Sequence, residues 1–485
     1  MKTRLWKLTA REAVDLLRRR EVSPLELVDA AAERIRATDK SVNALPTLCL
    51  ERAYDHARRL TETGPPRDPG PGFLYGLPVA IKDLTKVAGV RSTEGSRVFA
   101  NRVPERSDIL VERLEANGAI VMGKSNTPEF GAGGTTVNEV FGVTLNPWDT
   151  RYTCGGSSGG SAVALATGQV WLATGTDLGG SLRLPASFCG VVGLRPSPGR
   201  VAHGPVSLPF GVLDVDGPMA RNVGDVALLL DAMAGCHPED PISLSAPPTP
   251  FRFAAENPIT PRRVAWSPDL GIAPVEKEVR SVCSEAVLTF TRLGAQVDEA
   301  HPDLEDADAI FQVLRAVQRA GNTMELLANH RSDLSPEVVF YAEKALGLTA
   351  AEIVTAEVRR GALYQRMVRF FDRYDLLVCP AVIVPPFEAN RREVRDVEGV
   401  ELDDYFAWLR LTFSITVTSC PAISVPCGFT SSGLPIGLQI IGPPRGEAKL
   451  LSAAALFEAQ HPYASLLPIE PRDHKVLVRS SDAQK

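Results

Sequence analysis

The apolar and polar positions of this 485-residue chain fall into alternating helical and extended patterns. Val14 and Leu17, then Leu27, Val28, Ala31 and Ile35, recur at helical spacing and predict an amphipathic helix pair over 10–20 and 24–37. Thr9-Ala-Arg-Glu12 and Ser23-Pro-Leu-Glu26 open those helices as capping boxes, the second with Pro24 at the first helical position. Thr61–Gly72 is rich in Pro and Gly and reads as a surface loop. Leu77-Pro-Val-Ala-Ile-Lys-Asp83 is then a short apolar run suited to a buried strand, ending in a charged pair. Ser107 is placed to cap a helix running to about Asn117, Ala119–Gly123 is extended, Ser161–Thr167 is helical up to Gly168, and Val170–Thr174 is extended again.

Further along, Asp216-Gly-Pro-Met-Ala-Arg221 predicts a turn into a helix over Val223–Ala234, and the prolines from Pro241 to Pro261 mark a long surface connection. A helix over 276–293, a strand around Gln296, a mostly helical stretch over 305–373 and a strand over Asp375–Ala381 follow. Ala422–Pro426 and Pro435–Ile441 predict a hairpin turned through Ser431-Ser-Gly433, and 447–459 a last helix. Strands alternating with helices predict an α/β fold, a sheet with helices on its faces.

Composition narrows the function classes. The 44% hydrophobic and 23% charged residues are those of an ordinary globular protein, and the length allows a sizeable core. A net charge of −6 gives no reason to expect nucleic acid or an anionic membrane as partner. The seven His residues show no HxH or HExxH spacing, so no His-based metal site is expected. The eight Cys residues contain no CxxC pair and read as reduced thiols. With neither a secretory h-region nor an 18-residue apolar run, the expectation is a cytoplasmic enzyme without a membrane span.

The candidate chemistry lies between Thr153 and Arg183, where two Gly/Ser clusters flank a small-residue segment: Gly155–Ser161, and Asp177-Leu-Gly-Gly-Ser181. Gly-x-Ser-x-Gly occurs there twice, centred on Ser157 and on Ser158, which could form a nucleophile elbow; that reading needs a downstream acid and His, and no His has an obvious catalytic setting. The first cluster lacks the Gly-Lys-Ser/Thr ending of a phosphate loop. The second cluster sets the N–H groups of Leu178, Gly179, Gly180 and Ser181 beside a hydroxyl, as an oxyanion hole demands, and makes Ser181 the natural nucleophile. A serine needs a base. Lys82, at the end of an apolar strand where burial disfavours charge, is the best candidate, although most lysines are only solvated surface groups.

These residues resemble the amidase signature family. Gly76-Leu-Pro-Val-Ala-Ile-Lys-Asp83, Gly155-Gly-Ser-Ser-Gly-Gly-Ser161 and Gly175-Thr-Asp-Leu-Gly-Gly-Ser-Leu-Arg183 carry the likeness. Gly123-Lys-Ser-Asn-Thr-Pro-Glu-Phe130, Asn146-Pro-Trp-Asp149, Gly217-Pro-Met-Ala-Arg221 and Gly433–Gly442 support it. The resemblance is densest over 76–234 and 420–460 and thin over 240–415, which is expected to shape the substrate pocket. It implies one α/β/α domain over 1–485, built on a large mixed twisted sheet flanked by helices.

It further implies a Ser-Ser-Lys triad: Ser181 as nucleophile, Ser157 as bridging serine after a cis Gly156–Ser157 bond, and Lys82 as base. The reaction implied is hydrolysis of a carboxylic amide through an acyl-serine, without metal or cofactor. Gly131, Ser158, Asp177 and Arg183 are expected to support the loops or the substrate. Cys154 and Leu178 depart mildly from the family pattern, Cys154 reading as a packed small residue rather than a reactive thiol. Three other readings stay open: the glutaminase subunit of a tRNA-dependent amidotransferase, a non-catalytic amide binder, and an esterase using Ser157 or Ser158. The partner expected is a small amide; the oligomeric state is left open, with a homodimer among the options.

Overall fold

The computed structural model describes residues 4–473, so His474 and both ends of the 1–485 span lie outside the described residues. The chain begins with helices α1 (Ala10–Arg18) and α2 (Pro24–Val42), opened by complete capping boxes at Thr9/Glu12 and Ser23/Glu26. Strand β1 (Thr47–Leu48) and helix α3 (Leu50–Thr63) precede β2 (Pro78–Lys82), helix α4 (Ile109–Ala116) and β3 (Ile120–Ser125). Then come α5 (Gly159–Ala166), β4 (Leu172–Asp177), α6 (Arg183–Cys189), β5 (Val192–Arg195), β6 (Val215–Ala220) and α7 (Val223–Met233).

A short helix α8 (Phe251–Glu256) interrupts the proline-rich connection, and β7 (Arg263–Trp266), α9 (Lys277–Arg292) and β8 (Gln296–Glu299) follow. The helical stretch resolves into α10 (Ala307–His330), α11 (Pro336–Leu346) and α12 (Ala350–Phe371). The chain finishes with β9 (Leu376–Pro380), α13 (Arg410–Thr416), the hairpin β10 (Ala422–Phe429) and β11 (Pro435–Ile441), and α14 (Glu447–Gln460).

Eleven strands form one mixed sheet in the order β1-β3-β2-β4-β6-β5-β10-β11-β9-β7-β8. β2 runs parallel to β3 and β4, and β7 parallel to β8 and β9, while the other pairings are antiparallel. Every residue of β2, β3 and β4 is buried, which is why these strands read as continuous apolar or small runs rather than alternating ones. The large mixed sheet flanked by helices is the fold expected from the sequence.

Two local expectations are corrected. Asp216–Arg221 is not a turn: Val215–Ala220 is the interior strand β6, paired with β4 and β5. Gly217-Pro218 suggested a turn because Pro lacks a ladder donor. In the sheet, β5 pairs only with Met219 and Ala220, so Pro218 faces a single strand partner, Thr174. Gly217 is there because a Cβ would stand 2.3 Å from the Leu194 carbonyl oxygen. The other correction is the cap of α4, which is Asp108; the Ser107 hydroxyl instead accepts the Ala88 N–H at 2.9 Å.

Candidate active site

Three neighbouring elements of one half of the sheet converge on the site. β2 ends at Lys82, whose backbone N–H is held by Thr174 Oγ1 of β4 at 3.2 Å. The side chain is fully buried, and its Nζ lies 2.6 Å from Ser157 Oγ, 2.9 Å from Ser158 Oγ and 2.9 Å from Thr176 Oγ1. Burial pulls the Lys82 pKa down to about 7, against the opposing pull of Asp214, Asp177 and Asp216. An ammonium needs acceptors and a neutral amine offers one; three hydroxyls, each both donor and acceptor, suit either state.

Ser157 follows a cis Gly156–Ser157 peptide, at the head of α5. Ser161 pins that helix to two strands, donating to the Thr174 carbonyl at 2.7 Å and meeting Ser125 Oγ at 2.6 Å. The glycines let α5 come this close: a Cβ on Gly160 would stand 2.3 Å from the Asn126 nitrogen.

Ser181 is presented by the turn that leaves β4, and Asp177 organises that turn. Its carboxylate accepts N–H bonds from Gly180 at 3.0 Å and Leu182 at 3.1 Å and pairs with both Nε and Nη2 of Arg183. Arg195 adds a longer contact at 3.4 Å. Burial alone would raise the Asp177 pKa, but Arg183 and then Arg195 outweigh it and hold the group at about 2. Gly180, at φ +122°, packs under Thr412, whose hydroxyl donates to the Gly179 carbonyl at 2.7 Å. Because the Gly180 N–H is engaged by Asp177, the N–H groups of this turn without a partner among the described residues are those of Leu178, Gly179 and Ser181.

The two serine clusters are joined by the Ser158 N–H, which donates to the Ser181 carbonyl at 3.2 Å. Ser157 is 1% exposed, whereas Ser181 is half-buried and lines a narrow cleft with Gly133, Gly156, Phe311, Arg315 and Phe406. Gly131, at φ +67°, passes so near that a Cβ on it would lie 3.3 Å from Ser157 Oγ. The structure thus gathers every residue singled out from the sequence into one neighbourhood, with Arg183 buried as a scaffold behind it.

Several contributors escaped the sequence reading. Thr176 touches Lys82 but looks like any strand threonine. Lys124 pairs with Asp83 at 2.9 Å and with Ser92 Oγ at 3.0 Å, fixing the end of β2; its place in Gly123-Lys-Ser was the available signal. A cavity of about 600 Å³ opens beside Thr176 and Leu178, with Asp214, Asp216, His203 and Arg319 in its wall. His203 Nδ1 meets Asp216 at 2.7 Å; burial would lower its pKa, yet Asp216 lifts it to about 9, so this is an ion pair rather than a free base. Cys154 is fully buried with its thiol pushed up to about 12 by burial, which makes it a packed residue. Among the described residues no group of three His, Cys, Asp or Glu could hold a metal ion, and no helix is long and apolar enough to cross a membrane.

A model of the Amidase family matches residues 26–451. The chain belongs to the amidase family. An acylamidase of Rhodococcus erythropolis is 35% identical over 469 residues, covering 96% of this chain and 97% of its own. A glutamyl-tRNA(Gln) amidotransferase subunit from Moorella thermoacetica is 36% identical over 483 residues, covering 95% and 98%. Among solved structures, a bacterial aryl acylamidase of the amidase signature enzymes superposes with a TM-score of 0.88 at 27% identity, covering 96% of this chain and 99% of that one.

Proposed function

We propose that this amidase hydrolyses a carboxylic amide of a small molecule through an acyl-Ser181 intermediate. The observation that carries the reading is a buried lysine with a pKa near 7 in hydrogen-bond contact with Ser157, one peptide from a turn that sets Ser181 beside unpaired N–H groups. Neutral Lys82 takes a proton from Ser157, Ser157 takes one from Ser181, and Ser181 Oγ adds to the amide carbonyl. The N–H groups of Leu178, Gly179 and Ser181 receive the oxyanion, each aligned donor contributing about 3 kcal/mol. Gly180 acts through shape, its own N–H holding Asp177. The proton returns along the relay to the leaving nitrogen, the C–N bond breaks, and water hydrolyses the ester. Ser158 and Thr176 hold the lysine, and Asp177 with Arg183 holds the turn.

A serine-directed fluorophosphonate tests the assignment. Wild type is expected to be labelled at Ser181 and the Ser181→Ala variant to remain unlabelled; labelling that persists in the variant refutes the nucleophile. A second reading, the glutaminase subunit of an amidotransferase, draws on the Moorella relative that matches this chain end to end. Glutamine hydrolysis that depends on co-purified partner subunits would favour it over the free-standing amidase.

A further inference from the structure

The cleft at Ser181 has an unusual wall. Arg315 and Arg319 stand one turn apart on α10 and both line it, so two like charges at i and i+4 face the nucleophile. Arg319 is tied to the backbone: its guanidinium donates to the Phe130 and Gly131 carbonyls, with Asp214 the acidic group whose charge it feels most, while its Nε has no hydrogen-bond partner. Arg315 is different. It is 3% exposed, among the described residues it donates to no backbone carbonyl and makes no ion pair with any carboxylate, and its Nε too has no hydrogen-bond partner. Aromatic groups surround it instead, with its guanidinium carbon 3.9 Å from the Phe406 ring centre and 4.1 Å from that of Tyr341. Cation–π contact with two rings offsets part of the desolvation, but it leaves the in-plane Nε–H without an acceptor. Burial and then Arg319 pull the Arg315 pKa to about 10, against Tyr341, so it stays charged at neutral pH.

A buried cation stacked on aromatics and turned toward a nucleophile is the arrangement that selects an anion. We infer that Arg315 is a specificity-determining residue that binds a carboxylate carried on the acyl side of the substrate. The acyl side follows from placement, because Arg315 shares its cleft with Gly179, Gly180 and Ser181, where the carbonyl must lie, whereas the leaving nitrogen must reach the Ser157–Lys82 relay. Length follows from space. The cleft holds about 20 Å³, room for little more than one small group, so the carboxylate is close to the scissile carbonyl. The substrate class is therefore the half-amide of a short dicarboxylic acid. This rests on the amidase reading above and adds the acyl group to it.

The test compares succinamate with 4-methylpentanamide, in which an isopropyl group of similar shape replaces the carboxylate. Wild type is expected to show a kcat/KM for succinamate at least about tenfold above that for the neutral amide, the worth of a hydrogen-bonded charge. Arg315→Met is expected to lower that ratio at least about tenfold, and Arg315→Lys to keep part of it. Succinate should bind wild type, measured by calorimetry, and bind Arg315→Met at least about tenfold more weakly. The binding arm needs no turnover, so it separates this proposal from the amidase reading, which the fluorophosphonate judges on its own. A wild-type preference for the neutral amide, an unchanged ratio in Arg315→Met, or equal losses on both amides would each overturn the proposal. The wild-type measurements decide it even if Arg315→Met fails to fold.

Discussion

Lys82 is surrounded by hydroxyls at contact distance, while the carboxylates that influence it act from farther away. In the proposed relay the neutral form is the base, so activity needs the proton off. Below a pH of about 7 the group is charged, and kcat/KM should fall roughly tenfold per pH unit. Asp214 is the largest charge pulling that pKa upward, so Asp214→Asn should move the midpoint to lower pH. A pH–rate profile of the variant checks this, and an unmoved midpoint would argue against Lys82 as the titrating base. At this scale the sequence was informative for a physical reason. Lys82, Ser157 and Ser181 sit in runs of glycine or buried apolar residues, where a polar side chain stands out against its neighbours. Thr176 and Arg315 did not stand out, because a strand threonine and a helix arginine are the expected surface residues of their elements until the packing buries them.

The turn after β4 is an element built on one carboxylate. Asp177 accepts two backbone N–H groups and two arginines inside a fully buried site. Asp177→Asn leaves Arg183 and Arg195 as buried cations without their counter-charge, and a loss of roughly 3–5 kcal/mol in denaturant unfolding is expected. The sign with pH follows from the lowered pKa. The stability that Asp177 contributes is present above its ordinary value of 3.8 and is lost as pH falls toward about 2. Most elements could be read from periodicity, including both capping boxes and the β10–β11 hairpin. β6 could not. Its Gly217-Pro218 pair obeys turn statistics, and only the sheet pairing reveals that the β5–β6 ladder stops at Met219, so Pro218 has a strand partner on one side alone.

Over the whole molecule, the chain's late segment returns to its early helices. Arg34 of α2 donates to the carbonyls of Thr167 at 2.6 Å and Ile469 at 2.7 Å, pairs with Glu470 at 2.6 Å, and stacks 4.1 Å from the Trp6 ring centre. Arg34→Ala should cost about 2–4 kcal/mol by leaving buried carbonyls unpaired, visible as a lowered midpoint in thermal or denaturant unfolding. A smaller effect, within about 0.5 kcal/mol, would mean that water replaces the guanidinium. This clasp was not legible along the sequence, since it ties Arg34 to partners as far as 436 positions away.

Lys82, Ser157 and Ser181 lie at the end of β2, ahead of α5 and after β4, whereas Phe311, Arg315, Phe406 and Leu409 of the cleft wall come from the stretch between β8 and α13. On the assignments proposed above, the reacting groups and the acyl-selecting Arg315 lie in separate blocks of the sequence. Exchanging 305–409 with the matching block of a family relative should yield chimeras that keep fluorophosphonate labelling of Ser181 and adopt the donor's acyl preference. An enzyme divided in this way can acquire a new substrate by recombination at two crossover points.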